Sequence, residues 1–174
     1  MNVAYLQECF VCDAAAGKLI WRARPKTHFK NGAGWHNFNR QRAGKTAGVR
    51  KADGRVEVKL DGRTFKAARI IWAMHYGATP PDVVDHIDGD PGNDRVENLR
   101  AATAAQNAQN RAHISTNSSG VRGVTWHAQS KKWWVRVTLN GRTRSFGLYS
   151  SLETAAVVAR GAKQQLFGEF ARHA

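Results

Sequence analysis

The sequence predicts an α+β protein in two folded parts that are joined by a short polar segment. Three observations support this class. Apolar and polar residues alternate over two stretches, each interrupted by an Asp-Gly or Asn-Gly pair, as in β-hairpins. Apolar residues recur at helical spacing before and after these stretches. The small polar residues at 112–119 have the composition of a linker.

The first part is predicted to contain short elements in quick succession. They are a helix over 3–12, a turn over 13–17, a strand over 18–22, a long basic loop over 28–44, two strands within 45–66 and a helix over 67–76. Asp61-Gly62 provides the two-residue turn between the paired strands. Gly77 ends the helix, and Pro80-Pro81 prevents its continuation.

A strand, a tight loop and a return strand follow. Val83-Val84 is predicted to be a buried strand that leads directly into Asp85-His86. The loop over 88–94 turns sharply because it holds two Gly, one Pro and one Asn. The chain is then expected to return as a strand at 98–100, which places the Asp-His pair at the mouth of a small hairpin.

A helix over 104–113 is predicted to complete this central unit. Thr103 stands at the N-cap, and Gln106 three residues later completes a capping box. Asn107 therefore lies near the start of the helix, and a helix that packs back across the two strands would return it to Asp85.

The second part is predicted to be a three-stranded antiparallel sheet with one amphipathic helix packed on it. The strands lie within 121–126, 132–139 and 142–149, and the helix runs from a capping box at 150–153 to Gly168. Asn140-Gly141 supplies the turn between the last two strands. Trp133, Val135 and Val137 share the apolar parity that would face the helix.

Charge is distributed in three blocks. The net charge of +14 and the pI near 10.6 favour a polyanionic partner over a membrane or an acidic small molecule. Residues 1–66 have 14 Lys and Arg against 5 Asp and Glu, residues 120–174 have 9 against 2, and residues 67–100 have 3 against 6. An acidic segment between basic flanks suggests a cation site held against a phosphate backbone, and an ordinary solvated acidic loop is the alternative.

The remaining composition indicates a soluble protein. No apolar run approaches the roughly 20 residues that span a bilayer, and no signal peptide is evident, so a soluble, intracellular protein is expected. Cys9 and Cys12 lack the second pair that a structural zinc site needs. They are predicted to pack as small apolar residues on the first helix, and a redox or metal role is the alternative.

The basic loop over 28–44 and the residues just before it combine cations with aromatic side chains. Phe29, Trp35 and Phe38 are interleaved with Arg and Lys residues, which suits contact with phosphates and stacking on bases. A solvated basic loop whose aromatic side chains are tucked into the domain is the alternative.

Four central residues have the chemistry that phosphodiester hydrolysis requires. Asp85 offers a charged oxygen ligand and Asn107 a neutral one, which suits one Mg²⁺ or Mn²⁺ ion that keeps several waters. His86 is suited to accept a proton from water at neutral pH. Asn98 is expected to brace the loop through its amide.

Residues 83–90, Asn93-Asp94, residues 97–100 and Asn107 resemble the signature of HNH endonucleases of the phage-borne and intron-homing group, over about 44–111. The resemblance implies a ββα-metal fold with His86 as general base, Asp85 and Asn107 as metal ligands and Asn98 as the loop brace. That group usually has a His-Arg pair in the preceding helix, where this chain has Ala68-Arg69. Arg69 is still expected to reach a phosphate.

The second part resembles the ethylene-response-factor/integrase-type DNA-binding domain over 120–170. The resemblance rests on residues 121–126, Lys132-Trp133, residues 146–149 and the Ala-rich helix. It implies a sheet that enters the major groove. The residues expected to contact DNA are Arg122, Trp126, Trp134, Arg136, Arg142 and Arg144.

The predicted organisation is a basic N-terminal extension (1–43), an HNH core with the preceding hairpin and helix (44–111), a linker (112–119) and a DNA-binding domain (120–174). The predicted function is a divalent-metal-dependent, site-preferring endonuclease of double-stranded DNA that leaves 5′-phosphate and 3′-hydroxyl ends and needs no small-molecule cofactor. A monomer or weak dimer is expected, and the resemblance implies the cytoplasm of a bacterial or phage-infected cell. A DNA-binding regulator without catalysis is the main alternative, and an RNA-directed nuclease is a third.

Overall fold

The computed structural model describes residues 1–110, 117–139 and 141–171, and its mixture of helices and small sheets confirms the α+β class. The α-helices within these ranges are α1 (Val3–Cys9), α2 (Gly32–Arg42), α3 (Ala67–Tyr76), α4 (Ala104–Asn110) and α5 (Leu152–Phe167). The strands are β1 (Phe10–Asp13), β2 (Lys18–Trp21), β3 (Val49–Arg50), β4 (Val56–Leu60), β5 (Arg63–Lys66), β6 (Val83–His86), β7 (Leu99–Ala102), β8 (Val124–His127), β9 (Lys132–Leu139) and β10 (Arg142–Tyr149). No helix in these ranges has the length and apolar character to cross a bilayer.

The chain forms two compact units, Met1–Ala102 and Thr103–Ala174. In the first unit α3 is the centre of the core, because Ile70 and Ile71 are fully buried. Phe10 of the β1–β2 hairpin is also fully buried and belongs to the same apolar cluster. Its ring centroid lies 4.5 Å from that of Trp21. The β1–β2 hairpin, which lies within the basic extension predicted over 1–43, therefore belongs to this core.

The paired strands and the helix stop of the first unit follow the sequence patterns. β4 and β5 pair in antiparallel register across the predicted turn, where Asp61 and Gly62 both have positive φ. Gly77 adopts the left-handed conformation (φ 66°) that ends α3. β6 and β7 form the predicted hairpin, in which Val83 and Val84 are half-buried.

Two predicted elements of the N-terminal region are wrong. The long loop expected over 28–44 contains α2, whose N-cap Asn31 accepts a hydrogen bond from the Gly34 N–H. Because α2 has no fully buried residue, its sequence has little helical periodicity, and the pattern did not predict a helix. The helix expected over 3–12 ends at Cys9, since Phe10–Asp13 pairs with Lys18–Trp21 across the turn. Pairing with the neighbouring strand overrode the local helical pattern.

The second unit has the predicted sheet order, β10-β9-β8, with α5 packed on one face. Val124, Val135, Ala155 and Ala159 are fully buried between the sheet and α5. The predicted apolar parity of β9 is confirmed, because Val135 and Val137 are buried and Trp133 packs against the same core. The capping box before α4 is also confirmed by two reciprocal hydrogen bonds between Thr103 and Gln106.

Some predicted features lie outside the described residues. These are 111–113 of the helix after Thr103, most of the linker expected over 112–119, and Asn140 of the second hairpin turn.

Candidate active site

The β6–β7 hairpin positions the Asp-His pair. In its antiparallel register Asp85 lies opposite Arg100, and His86 lies opposite Leu99. Asp85 is only 4% exposed, and its Oδ2 accepts hydrogen bonds from Arg100 Nε at 2.9 Å and Nη2 at 2.8 Å. The guanidinium therefore orients the carboxylate in a largely desolvated position.

His86 ends β6 and contacts a second carboxylate that the motif did not single out. His86 Nε2 lies 2.9 Å from Asp94 Oδ1, and Asp94 is only 4% exposed. An ionised carboxylate only accepts hydrogen bonds, so this contact places the hydrogen of the neutral imidazole on Nε2. The lone pair is then on Nδ1, the atom suited to take a proton.

Asp94 carries an unusual feature. Its Oδ2 is buried and has no hydrogen-bond partner within the part of the chain that the structure describes. A buried unsatisfied oxygen costs about 1–3 kcal/mol, which sets Asp94 apart from a carboxylate placed for stability alone.

Asn98 ties the acidic loop together. Its Nδ2 donates to Asp88 Oδ1 at 3.0 Å and to the Asn93 carbonyl at 2.8 Å, while its Oδ1 accepts from the Asp88 N–H at 3.1 Å. Burial opposes ionisation of Asp88, but hydrogen bonds from Asn93, Asn98 and the Asp90 N–H outweigh it and lower the pKa of Asp88. An ionised Asp88 and the three hydrogen bonds of the Asn98 amide thus fix the backbone that follows His86.

The turn between β1 and β2 packs against the end of the acidic loop. Gly17 has a φ of 66°, and a Cβ built on it would lie 2.5 Å from Asp94 C and Arg95 N. The Val96 N–H also donates to the Ala14 carbonyl at 2.9 Å. The residue that contacts His86 is therefore seated on an N-terminal turn about 80 residues earlier in the chain.

Substituting Gly17 with alanine is expected to lower both stability and cleavage, because the new methyl group meets backbone atoms and φ is positive. We expect a loss of about 2–3 kcal/mol in the free energy of unfolding, measured by urea denaturation. Gly62→Ala is the matched control, since its φ is 80° and no atom lies within 4 Å of its Cβ position. Equal stability and activity of the two variants would contradict this seating.

Arg69 and Ala68 both make contacts that support the fold. Arg69 Nη1 donates to the carbonyls of Pro81 and Asp82, at 2.5 and 2.9 Å, and so holds the segment that enters β6. Ala68, at the position where a histidine was expected, is buried in the α3 core.

The donor atoms at this hairpin fit a hard divalent ion that takes few protein ligands. The described residues contain no group of three or more His, Cys, Asp or Glu side chains that would enclose a metal. Mg²⁺ needs no such enclosure, because it keeps several waters and takes one or two carboxylates plus substrate phosphate. Asp85 can supply that carboxylate. A metal ion there would compete with Arg100, which donates two hydrogen bonds to Asp85 Oδ2. Asn107 lies on α4, in the second unit.

The two cysteines are free and lie apart from this site. Cys9 is fully buried, and burial raises the pKa of its thiol. Its Sγ lies 3.9 Å from His28 Nδ1. Cys12 is half-buried in β1, and burial likewise raises the pKa of its thiol. Burial thus disfavours the thiolate form of both cysteines.

In the second unit the strand register divides the predicted DNA contacts between two faces. Directly paired residues lie on the same face of a sheet. Trp134 pairs with Thr125 and Arg136 pairs with Ser145, and all four residues lie on one face. Arg136 Cζ lies 4.2 Å from the centroid of the Trp134 ring, and Trp134 Nε1 donates to Ser145 Oγ at 2.8 Å. The exposed sheet face, opposite α5, consists of Thr125, His127, Lys132, Trp134, Arg136, Thr138, Thr143, Ser145 and, after a register shift in β10, Leu148.

Three of the residues expected to contact DNA have the opposite parity from Trp134 and Arg136. Arg142 pairs with Leu139, Arg144 with the buried Val137, and Trp126 with Trp133, so all three have the parity of the helix side. Trp126 is nevertheless 47% exposed. Sequence alternation alone could not relate β10 to β9, because the register depends on the turn. The polar residues Thr125, Thr138 and Thr143 line a groove on the exposed sheet face that the sequence analysis missed.

Comparison with known proteins identifies the class of the domain that contains this hairpin. Residues 65–109 match the family described as HNH endonuclease, so the chain contains an HNH endonuclease domain that includes β6, the acidic loop and β7. No solved structure matches the chain.

Two viral proteins are similar to this chain. Protein 3.8 of Escherichia phage T7 is 35% identical over 103 residues, which cover 59% of this chain and 84% of that protein. An uncharacterized HNH endonuclease, L560, of Acanthamoeba polyphaga mimivirus is 36% identical over 96 residues, which cover 55% of this chain and 49% of that protein. The chain belongs to the same family as protein 3.8 of phage T7.

Proposed function

We propose that the chain is a divalent-metal-dependent, site-preferring endonuclease that hydrolyses the phosphodiester bonds of double-stranded DNA. The observation that carries the proposal is the His86–Asp94 contact of 2.9 Å at the end of β6, directly after Asp85 and inside the matched HNH domain. The reaction needs a base and a carboxylate that binds the metal ion. His86, with its hydrogen held on one ring nitrogen, is the base, and the adjacent Asp85 is the carboxylate.

In the proposed reaction His86 Nδ1 takes a proton from the attacking water while Asp94 accepts the hydrogen bond from Nε2–H. Asp85 is the proposed charged metal ligand, and Asn107 is the second ligand on the strength of the sequence motif. A bound Mg²⁺ or Mn²⁺ supplies Lewis acidity for the phosphoryl oxygens and the leaving oxygen. Attack by water on phosphorus, with departure of the 3′ oxygen, leaves a 5′-phosphate and a 3′-hydroxyl.

The charge of the chain supports DNA as the substrate. Residues 14–52 contain ten Lys and Arg and no Asp or Glu, and α2 lies within this segment with Arg40 and Arg42 in its last turn. Such a segment gives strong, salt-sensitive attraction to phosphates. We propose that both units use basic surfaces to hold the duplex.

The exposed sheet face of the second unit is proposed to read the DNA. A two- or three-stranded ribbon fits the major groove, and Arg136 stacked on Trp134 presents donor groups that suit the acceptors of guanine. The resemblance to the ethylene-response-factor/integrase-type domain supports this assignment. Arg142, Arg144 and Trp126 are then proposed to contact the flanking backbone from the strand edges.

Purified protein is expected to nick or linearise supercoiled plasmid when Mg²⁺ or Mn²⁺ is added, and excess EDTA is expected to abolish cleavage. End-labelled mapping of both strands measures site preference and shows whether the ends carry 5′-phosphate. Protein that shifts a DNA fragment in a gel but leaves it uncut with every metal would be the DNA-binding regulator instead, a reading to which Ala68 lends support. Protein that neither shifts nor cuts DNA would overturn both readings.

A further inference from the structure

The turn between β3 and β4 packs against the acidic loop over 88–94. A Cβ built on Gly54, in this turn, would lie 3.1 Å from Pro91 Cγ. A Cβ built on Gly92 would lie 2.8 Å from the Gly54 carbonyl oxygen and would meet Arg50 Nη2 more closely still. Gly92 does not have a positive φ, so the approach of these atoms is what requires a glycine there. The Arg50 guanidinium therefore lies directly against the acidic loop.

Arg50 is the least neutralised of the three cations at this hairpin. Arg55 Nη2 and Lys51 Nζ each lie beside a carboxylate of the same hairpin, at 2.6 and 3.3 Å. Arg50 Nη2 lies 3.9 Å from Asp90 Oδ1, and its side chain makes no hydrogen bond within the described ranges. The Arg50 side chain is 63% exposed, and a long, exposed ion pair adds little to stability. Arg50 is thus the cation of this hairpin that is available to a ligand.

The backbone that presents Arg50 is fixed. Arg50 ends β3, where it pairs with Val56 of β4. The Lys51 N–H donates to the Arg55 carbonyl at 2.8 Å, and the Gly54 N–H donates to the Lys51 carbonyl at 2.9 Å. A ligand would therefore need to order only the end of the Arg50 side chain, which keeps the entropic cost of binding small.

The position of Arg50 is close to the proposed catalytic residues. It contacts the acidic loop two residues before Asp94, which contacts His86. Two residues span at most about 8 Å, and the phosphates of one DNA strand recur about every 3.4 Å along the duplex axis. A duplex whose scissile phosphate lies at His86 therefore brings neighbouring phosphates to this loop. The carboxylates of Asp88 and Asp90 would repel them, and a cation on the loop would offset that repulsion.

We propose that Arg50 binds a phosphate group of the DNA backbone that flanks the scissile bond, and so offsets the repulsion between the acidic loop and the substrate. This inference rests on the proposed function. A guanidinium presents forked N–H donors that match two oxygens of a phosphate, and such charge-assisted hydrogen bonds are stronger than neutral ones. The phosphate replaces Asp90 as the partner of Arg50, and little is lost because that ion pair is long and exposed.

Arg50→Gln in the full chain is the first test, with affinity for a duplex that contains the mapped cleavage site measured by fluorescence anisotropy in EDTA between about 50 and 200 mM salt. We expect affinity to fall about 5- to 10-fold and the slope of log affinity against log salt to decrease by about one. Urea unfolding should be unchanged, because the Arg50 ion pair is exposed. Arg55→Gln is the matched control, since it removes a cation of the same hairpin that has a close carboxylate, and affinity should stay within about 2-fold.

A second variant separates phosphate binding from a role in holding the loop. Asp90→Asn removes the charge that pairs with Arg50 but keeps the oxygen that accepts a hydrogen bond from the Gly92 N–H at 2.9 Å. Phosphate binding by Arg50 predicts that Asp90→Asn binds DNA at least as tightly as the unsubstituted protein, because a repelling charge is gone. Equal losses of affinity in Arg50→Gln and Asp90→Asn would show a structural ion pair and overturn the proposal. Unchanged affinity and salt slope in Arg50→Gln would overturn it as well.

Uncharged methylphosphonate linkages, placed one at a time around the mapped cleavage site, locate the contact. One flanking linkage should weaken binding of the unsubstituted protein, and Arg50→Gln should be insensitive to that same linkage because its partner is already lost. Equal sensitivity of the two proteins at every position would overturn the assignment to a flanking phosphate. Failure of the unsubstituted protein to bind or cut duplex DNA would instead overturn the proposed function itself.

Discussion

Substituting His86 with alanine is expected to lower plasmid cleavage at least about 100-fold, because a positioned general base contributes roughly that much or more. Binding to uncut DNA should stay within about 2-fold, since one partly exposed imidazole adds little to an interaction dominated by phosphate contacts. The measurement is the initial rate of nicking under single-turnover conditions, with gel shifts in EDTA to monitor binding.

The matched control is His75→Ala, which removes an exposed histidine of α3 and is expected to cleave at the original rate. Unfolding curves of both variants exclude a loss of fold as the cause. Full activity in the His86→Ala protein would contradict the assignment of His86 as the general base.

Substituting Asp94 with alanine is expected to lower kcat by about 10- to 100-fold with little change in KM, because Asp94 contacts His86 and is not proposed to contact DNA. The loss comes from His86, whose Nε2–H would lose the carboxylate that accepts its hydrogen bond. Stability is expected to change less than for most buried residues, because the substitution also removes the unsatisfied Oδ2.

A spectroscopic measurement separates this role from a general weakening of the loop. The ¹⁵N shifts of the neutral His86 ring should indicate hydrogen on Nε2 in the unsubstituted protein and a mixture in Asp94→Ala. Asp90→Ala, which removes an exposed carboxylate of the same loop, is the control and should leave the ring signals unchanged. Identical ring signals in the unsubstituted and Asp94→Ala proteins would refute the positioning role.

Part of the site could be predicted from the sequence because some of its residues are held together by contacts between near neighbours in the chain. An Asp-His pair at the end of a short β-rich stretch, followed by a turn-rich loop, is enough to place Asp85 and His86 at the mouth of a hairpin. Asn98 could be expected to brace the loop because an amide can both donate to and accept from nearby backbone groups. Asp94 was seen as a member of the motif, but its contact with His86 depends on how the loop closes.

The contribution of Gly17 could not be read from the sequence. A glycine after a run of alanines predicts a turn, and the turn is present between β1 and β2. Its close approach to Asp94 and Arg95 is a packing contact between segments that are far apart in the chain. Neither periodicity nor turn chemistry contains information about such a contact.

The sequence by itself determined the β4–β5 and β6–β7 hairpins, the cap before α4 and the end of α3, because an Asp-Gly turn, a capping box and a left-handed Gly77 act over a few residues. It also determined the charge of the flanks and the hairpin that holds Asp85 and His86. Tertiary structure alone decided that Phe10 leaves α1 to join a strand, that the aromatic and arginine residues of the second sheet divide between two faces, and that Arg50 lies against the acidic loop. These outcomes depend on register and on packing between distant segments, which local sequence does not specify.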